Sequence, residues 1–323
     1  MTHAIQVHQT GGPEVLVWDE VTVGEPGPGQ VRLRQDAAGL NYIDVYHRTG
    51  LYPQQLPFIP GVEGAGTVDA VGEGVTGVGA GDRVAYAGPI GGYAEERLID
   101  AEKLVKLPDS ISTEQAAAMM LQGLTAHMLL RSVHRVQPGE TILIHAAAGG
   151  VGLIVCQWAK ALGATVIGTV GSDEKAELAR AHGCDHPIVY TRQDFVAEVA
   201  RITGGAKLPV VYDSIGRDTF MKSLDCLAPR GMMVSFGNAS GPVDPFPPGI
   251  LAQKGSLFLT RPTLFHYNAT RAELEAAANE LFEVVASGQV KIEVKQRFAL
   301  KDAAEAHRQL EARKTTGSTV LTV

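Results

Sequence analysis

Cysteine is scarce. The 323-residue chain has three, Cys156, Cys184 and Cys226, widely spaced and odd in number. That pattern gives neither a disulfide framework nor a C-x-x-C metal knuckle, and Cys156, inside a helical stretch, reads as a small core residue. The ten histidines form no H-x-H or H-E-x-x-H group, so no metal is expected. Basic residues are outnumbered, 28 Lys and Arg against 35 Asp and Glu, for a net charge of −7. This balance argues against a general attraction to nucleic acid or to an anionic membrane. No run reaches the ~18 uninterrupted apolar residues of a membrane-spanning helix, and residues 1–8 lack the basic and apolar sections of a signal peptide. A cytoplasmic enzyme is the expectation.

Glycine, by contrast, is abundant, with 37 residues. The most informative of them close the segment Thr141-Ile-Leu-Ile-His-Ala-Ala-Ala-Gly-Gly-Val-Gly152, where an apolar run passes through a turn into a helical pattern. Such a strand, turn and helix bind a dinucleotide. The backbone must approach a pyrophosphate, so Ala147, Gly149 and Gly152 are small, and the amides that open the helix face the anion with the positive end of its dipole. The helix carries Val151, Ile154, Val155, Trp158, Ala159 and Leu162 at helical spacing, Gly163 stops it, and residues 165–170 read as a second strand. This completes a βαβ unit. Its second strand ends Val170-Gly171-Ser172, without the acid that usually holds the ribose hydroxyls of NADH. Asp173 and Glu174 come next, in the first turn of a helix, where acids suit the dipole in any case. Lys175 is placed to meet a 2′-phosphate, so NADPH is the expected cofactor, with an ordinary solvated lysine as the alternative reading.

A chain of this length favours two domains. Up to residue 122, short alternating strands at 4–8, 30–38, 66–71, 82–86 and 93–99 are separated by Gly and Pro turns, which predicts a mostly antiparallel β domain. Helical patterns begin at Ser112 and continue over residues 122–130. From 123 to 260 strands and helices alternate, with strands expected at 141–144, 165–170, 187–190, 209–213, 231–236 and 256–260. Six strands in this order predict an α/β, doubly wound parallel sheet. A long amphipathic helix at 271–287 and β/α segments to residue 323 return to the first domain. The expected division is therefore 1–122 with 261–323, and 123–260 inserted between them.

The first domain carries a more specific signature. Pro60-Gly-Val-Glu-Gly-Ala-Gly-Thr-Val-Asp-Ala-Val-Gly-Glu-Gly-Val75 with Gly81-Asp-Arg-Val84 resembles the medium-chain dehydrogenase/reductase superfamily, and within it the quinone oxidoreductase branch that includes zeta-crystallin. Asn41-Tyr-Ile-Asp44, the Ala146–Gly152 turn and Phe236-Gly-Asn238 match the same branch, so the resemblance spans nearly the whole chain. It implies a Rossmann domain inserted in a GroES-like, mostly β catalytic domain. Where zinc-dependent members have a ligand cysteine this chain has Asn41, and in place of their Gly-His-Glu it has Gly61-Val62-Glu63. The structural zinc loop has no counterpart, since no cysteine precedes Cys156. Lewis-acid polarisation by zinc is not expected.

What the resemblance implies for individual residues follows from these matches. Asn41, Tyr46 and Tyr52 would line the cleft near the nicotinamide as catalytic residues, with Asn41 and Tyr52 orienting ring and ribose; read without the resemblance, they are core residues. Tyr42 belongs to the same matched segment, and Asp44 would hold the helix start or relay a proton. Gly149, Gly150, Val151 and Gly152 would meet the pyrophosphate. Gly171, Ser172, Lys175 and Tyr190 would surround the 2′-phosphate, and Arg313 would reach the cofactor from the returning segment. Phe236, Gly237 and Asn238 lie at the carboxyl edge of the sheet, Thr125 on the carboxamide side, and Pro262 and Thr263 toward the nicotinamide end. The implied activity is NADPH-dependent reduction of a quinone without a metal. Reduction of an enone or alkenal C=C bond is the nearest rival, and a crystallin-like or AU-rich RNA-binding role a more distant one. A homodimer through residues 256–260 is also implied, because relatives of this kind pair through the exposed edge of that sheet.

Overall fold

Six short strands rich in Val, Ile and Leu form a wholly parallel sheet in the computed structural model, which describes residues 2–323. They are Thr141–Ile144, Thr165–Val170, His186–Val189, Leu208–Asp213, Leu227–Ser235 and Phe258–Thr260. Numbered along the chain, their order across the sheet is 3-2-1-4-5-6. The first strand is paired on one side with the second and on the other with the fourth, so the strand order reverses at its carboxyl end. This is the doubly wound arrangement, and such switch points are where open α/β sheets bind ligands. Parallel strands are covered on both faces, which explains why Ile142, Leu143, Ile144, Val166, Ile167, Val210 and Val211 are all fully buried. Between strands the chain returns through helices Gly150–Ala161, Asp173–Ala181, Phe195–Ile202 and Phe220–Asp225. Ser172 caps the second of these, accepting from Lys175 N, and Asp194 caps the third, accepting from Val196 N and Ala197 N at 2.9 and 3.1 Å.

The other compact unit is built on a seven-stranded sheet. Strand Gln30–Gly39 lies at its centre, antiparallel to Glu63–Val71, Glu96–Asp100 and Ser318–Thr322. The sheet extends through Arg83–Ala87 to the two-residue strand Val105–Lys106. At the opposite edge Val294–Ala299 runs parallel to Ser318–Thr322, the one departure from an antiparallel pattern in this sheet. Val31, Leu33, Val68, Val84, Tyr86, Ile99 and Leu104 form its core on one side. A separate hairpin pairs Thr2–Val7 with Leu16–Val21. The second of these strands was not expected, because Asp19 and Glu20 fall side by side and obscure the alternation.

The two units divide at other points than expected. One comprises residues up to Leu124 with Thr270–Ala286 and Ile292–Val323; the other comprises Thr125–Ala269 with Ser287–Lys291. Residues 261–269 therefore belong with the parallel sheet rather than with the β-rich unit. Arg261 Nη1 donates to Ser235 O at 3.1 Å, and helix Leu264–Tyr267 packs on the turn Met128–Val133. Residues 287–291 join the same unit because Gln157 exchanges two hydrogen bonds with the Lys291 main chain, at 2.9 and 3.1 Å. All three cysteines are buried and unpaired. No helix among the described residues is long and apolar enough to cross a membrane.

Candidate functional site

The nucleotide turn follows the strand Thr141–Ile144. Its main chain is tied down before the helix begins: His145 N donates to Tyr212 O at 3.0 Å, Ala147 N to Thr169 O at 3.0 Å, and Gly149 N to Ala146 O at 2.9 Å. Ala146 takes a left-handed φ of 56°. Gly149 stands at the N-cap without a side-chain hydrogen bond, so the amides of Gly150 and Val151 have no intrahelical acceptor and are available to an anion. Space explains the glycines. A Cβ at Gly152 would lie 2.3 Å from Ala146 O and 2.8 Å from Ala147 Cα, both main chain, and one at Gly168 would lie 2.5 Å from Ala147 Cβ. A cradle that a single methyl group would obstruct fits a dinucleotide pyrophosphate.

Beneath this turn lies a buried polar group. His145 reaches Thr169 Oγ1 through Nδ1 and Ser223 Oγ through Nε2, both at 2.9 Å, and Ser223 Oγ lies 3.1 Å from Asp213 Oδ2. Burial pushes the His145 pKa down, so the ring is neutral and ties three strand ends together.

At the end of strand Thr165–Val170, Gly171 lies against Tyr190: a Cβ there would be 3.0 Å from the Tyr190 hydroxyl. Ser172 Oγ caps the helix that carries Lys175. Asp173, the first acid after the strand, is bound by Arg192, whose Nη1 donates to Asp173 Oδ2 at 2.6 Å. The local acid is thus neutralised by a nearby cation, and Lys175 adds a further positive charge on the same helix.

The remaining expected residues of this unit are placed as follows. Phe236 N donates to Asp213 O at 2.8 Å just beyond strand Leu227–Ser235, and a Cβ at Gly237 would lie 2.4 Å from Ser214 O. Asn238 O accepts from Gly241 N at 2.9 Å. Thr125 lies in helix Met120–His127, and Pro262 and Thr263 precede helix Leu264–Tyr267.

In the β-rich unit, Asn41 is the N-cap of helix Tyr42–Arg48 and is 8% exposed. Asp44, three residues on, accepts from Asn41 N at 2.9 Å and so holds the helix start. Three aromatic rings cluster here: Tyr46 lies 5.2 Å from Tyr52, edge to face, and 6.3 Å from Tyr42. Tyr42 Oη donates to Leu310 O at 3.2 Å, in the helix that leads to Arg313, a residue with φ of 58°. Asn41, Tyr42, Tyr46 and Tyr52 therefore share one neighbourhood within this unit.

Two buried networks meet at Asn41. In the first, Asn41 Nδ2 donates to Glu63 Oε2 at 2.7 Å, Leu121 N donates to Glu63 Oε1 at 2.8 Å, and Gln122 Nε2 donates to Asn41 Oδ1 at 3.2 Å. Burial pushes the Glu63 carboxyl up to about 8. In the second, Arg48 donates to His307 Nδ1 at 3.0 Å, His307 Nε2 lies 3.2 Å from the Tyr93 hydroxyl, and Tyr93 donates to Asp44 Oδ2 at 2.9 Å. Burial pushes Asp44 up to about 7 and His307 down to about 3. Arg48, 1% exposed, is balanced by Glu311 at 2.8 Å.

Reasoning from residue types had not singled out Glu63 as a partner of Asn41, nor Gln122, His145, Asp213 or Arg192. His145 was within reach of it, since a histidine directly before the glycine turn had been read only as part of the strand.

The residues at the former zinc positions do not suit the metal. Asn41 uses its amide nitrogen on Glu63, Val62 offers no donor, and no group of three or more His, Cys, Asp or Glu side chains is assembled for a metal among the described residues.

The chain matches two family models, the alcohol dehydrogenase GroES-like domain over residues 27–109 and the zinc-binding dehydrogenase domain over residues 150–283. It is 57% identical over 323 residues to a quinone oxidoreductase of Pseudomonas aeruginosa, covering 99% of each chain. It is 49% identical over 330 residues to a 2-haloacrylate reductase of a Burkholderia species, again covering 99% of each. Among solved structures it superposes on Escherichia coli quinone oxidoreductase complexed with NADPH with a TM-score of 0.98 and 51% identity, covering 99% of this chain and 100% of the other. On this evidence the chain belongs to the quinone oxidoreductase family of the medium-chain dehydrogenase/reductase superfamily.

Proposed function

We propose that this protein is an NADPH-dependent quinone reductase that works without a metal. The observation that carries the reading is the strand end at Gly171: the acid beside it is held by Arg192, while Ser172, Lys175 and Tyr190 offer a cation and two hydroxyls suited to a 2′-phosphate. The full-length identity to quinone oxidoreductases supports the choice of acceptor.

NADPH, when bound, supplies a hydride to an acceptor that is already electrophilic, which requires mainly alignment and exclusion of water. Gly149, Gly150, Val151 and Gly152 bind the pyrophosphate through main-chain amides. Arg313 adds a charge contact to the cofactor, and Thr125, Phe236, Gly237, Asn238, Pro262 and Thr263 bound the nicotinamide end. Asn41 and Tyr52 orient the reacting rings, with Tyr46 packed edge-on to Tyr52 and Tyr42 and Asp44 holding the helix that carries them. Hydride transfer leaves a hydroquinone anion, which takes its one proton from water or from a nearby hydroxyl that water reprotonates.

Consumption of NADPH and NADH in parallel, with a benzoquinone and an alkenal as acceptors, tests this. Quinone-dependent NADPH use should exceed NADH use by about tenfold or more, the effect of one charge-assisted hydrogen bond. In Lys175→Ala that preference should collapse toward parity. Equal use of both cofactors by the unmodified enzyme would overturn the cofactor assignment. Turnover of the alkenal alone would transfer the enzyme to C=C reduction, a second reading favoured by the 49% identity to a 2-haloacrylate reductase.

The protein is proposed to act in the cytoplasm as a homodimer. Strand Phe258–Thr260 ends the parallel sheet with Phe258 58% exposed and Leu259 37% exposed, an edge that a second copy would cover. Light scattering at micromolar concentration should give twice the chain mass; a monomer mass would refute the dimer.

A further inference from the structure

We propose that Glu63 is a positioning residue for hydride transfer, its charge state setting which end of the Asn41 amide acts as donor. The inference rests on the reading of Asn41 as a residue that orients the reacting rings. Four side chains from four separate segments form one buried line: Ser318 Oγ donates to Gln122 Oε1 at 2.7 Å, Gln122 Nε2 to Asn41 Oδ1 at 3.2 Å, and Asn41 Nδ2 to Glu63 Oε2 at 2.7 Å. Exposures of 4% for Ser318, 6% for Gln122, 8% for Asn41 and 0% for Glu63 leave little room for water to replace any link.

In the arrangement Ser318 to Gln122 to Asn41 to Glu63 every bond runs toward Glu63 as acceptor, the pattern that an ionised carboxylate requires. Leu121 N occupies Glu63 Oε1, so a proton added to Glu63 goes to Oε2, where it faces the donor Nδ2 of Asn41. Donors and acceptors along the line match again only if both amides turn over. Glu63 then donates to Asn41 Oδ1, Asn41 Nδ2 to Gln122 Oε1, and Gln122 Nε2 to Ser318 Oγ. The polarity of Asn41 is therefore tied to one proton on Glu63.

The surroundings of Glu63 favour a proton that is exchanged in the neutral range. Desolvation is the leading effect, and the nearby charge is Asp44, of the same sign. Tyr86 and Tyr93 face it from neighbouring segments, and the Met120 and Leu121 amides donate to it. The two arginines of this region are engaged elsewhere: Arg48 with Glu311 and His307, Arg97 with the carbonyls of Pro89 and Ile90. An anion hydrogen-bonded to Asn41 opposes the negative charge that develops on the acceptor, so the neutral form of Glu63 is the faster one.

The test is kcat and KM for NADPH with benzoquinone between pH 6 and 9, for the unmodified enzyme, Glu63→Gln and Asn41→Ala, with thermal melts to verify folding. Glutamine is isosteric, stays neutral and both donates and accepts, as the protonated acid does. In the unmodified enzyme kcat should fall about tenfold through a step near pH 8, a loss of the size expected for misdirected polar groups. Glu63→Gln should hold the low-pH value throughout, with KM for NADPH within about twofold of normal. A step that persists in Glu63→Gln, with Asn41→Ala impaired, would overturn the positioning role and leave the reading of Asn41 intact. Normal kcat in Asn41→Ala would overturn both.

Discussion

At the nucleotide turn, side chains are absent so that main chain can do the binding; around Asn41, side chains are packed so tightly that their protons become part of the structure. The first arrangement is steric. Gly152 leaves no space for a methyl group against Ala146 O, and the anion-binding groups are amides whose protonation never changes. The second arrangement is electrostatic. Glu63, Asp44, Tyr93 and His307 are all buried, and each is shifted by burial away from its ordinary pKa. The nucleotide turn should therefore be intolerant of added volume, with anion binding that does not depend on the protonation of its own amides, whereas the network around Asn41 should tolerate isosteric changes and respond strongly to pH.

The sharpest test of the steric side is Gly152→Val. Its Cβ would meet Ala146 O at 2.3 Å and Ala147 Cα at 2.8 Å, and because these are main-chain atoms the turn itself must move. A displacement on that scale should weaken NADPH binding at least about 100-fold. Gly249→Ala, at a helix start with nothing within 4 Å of the added Cβ, should leave binding unchanged. Fluorescence titration with NADPH measures both. Binding within a few-fold of normal in Gly152→Val would show that the turn relaxes and that the comparison is false on its first side.

The same contrast accounts for what could be read from the sequence. A steric demand translates directly into residue type at fixed spacing, so Ala147, Gly149 and Gly152, the strand before them and the helix after them were legible, as was the parallel sheet from its six apolar runs. The neighbours of Asn41 were not. Glu63 lies 22 residues away in the chain, Gln122 lies 81 away, and Ser318 is 196 beyond Gln122. Their meeting depends on the register between strands Gln30–Gly39, Glu63–Val71 and Ser318–Thr322, which no local pattern specifies. The place of residues 261–269 was hidden for a related reason: the hydrogen bond from Arg261 to Ser235 O and the packing of helix Leu264–Tyr267 on Met128–Val133, which join them to the parallel-sheet unit, are long-range contacts with no local pattern.

The electrostatic side makes a smaller but distinctive prediction through Asp44. Its Oδ2 accepts from Asn41 N and Tyr93 Oη, but desolvation outweighs these bonds and the contribution of the Val62 amide, so the folded protein favours the neutral acid. The pKa rises from 3.8 to about 7 on folding. Stability from this group is thus fully present below pH 3.8 and is lost as pH climbs to about 7, because the unfolded chain releases the proton first. About three pKa units correspond to a ceiling of roughly 4 kcal/mol. His307 contributes in the opposite sense, losing stability as pH falls from 6.5 toward 3, but it is present in both proteins and cancels in their difference. Asp44→Asn keeps the acceptor for Asn41 N and Tyr93 and does not titrate. Urea denaturation between pH 4 and 8 should therefore show the variant gaining on the unmodified protein by a few kcal/mol up to about pH 7 and then levelling off. A difference that stays constant with pH would mean that Asp44 is ionised in the fold, and that the β-rich unit stores no proton at the start of the helix that carries Tyr46.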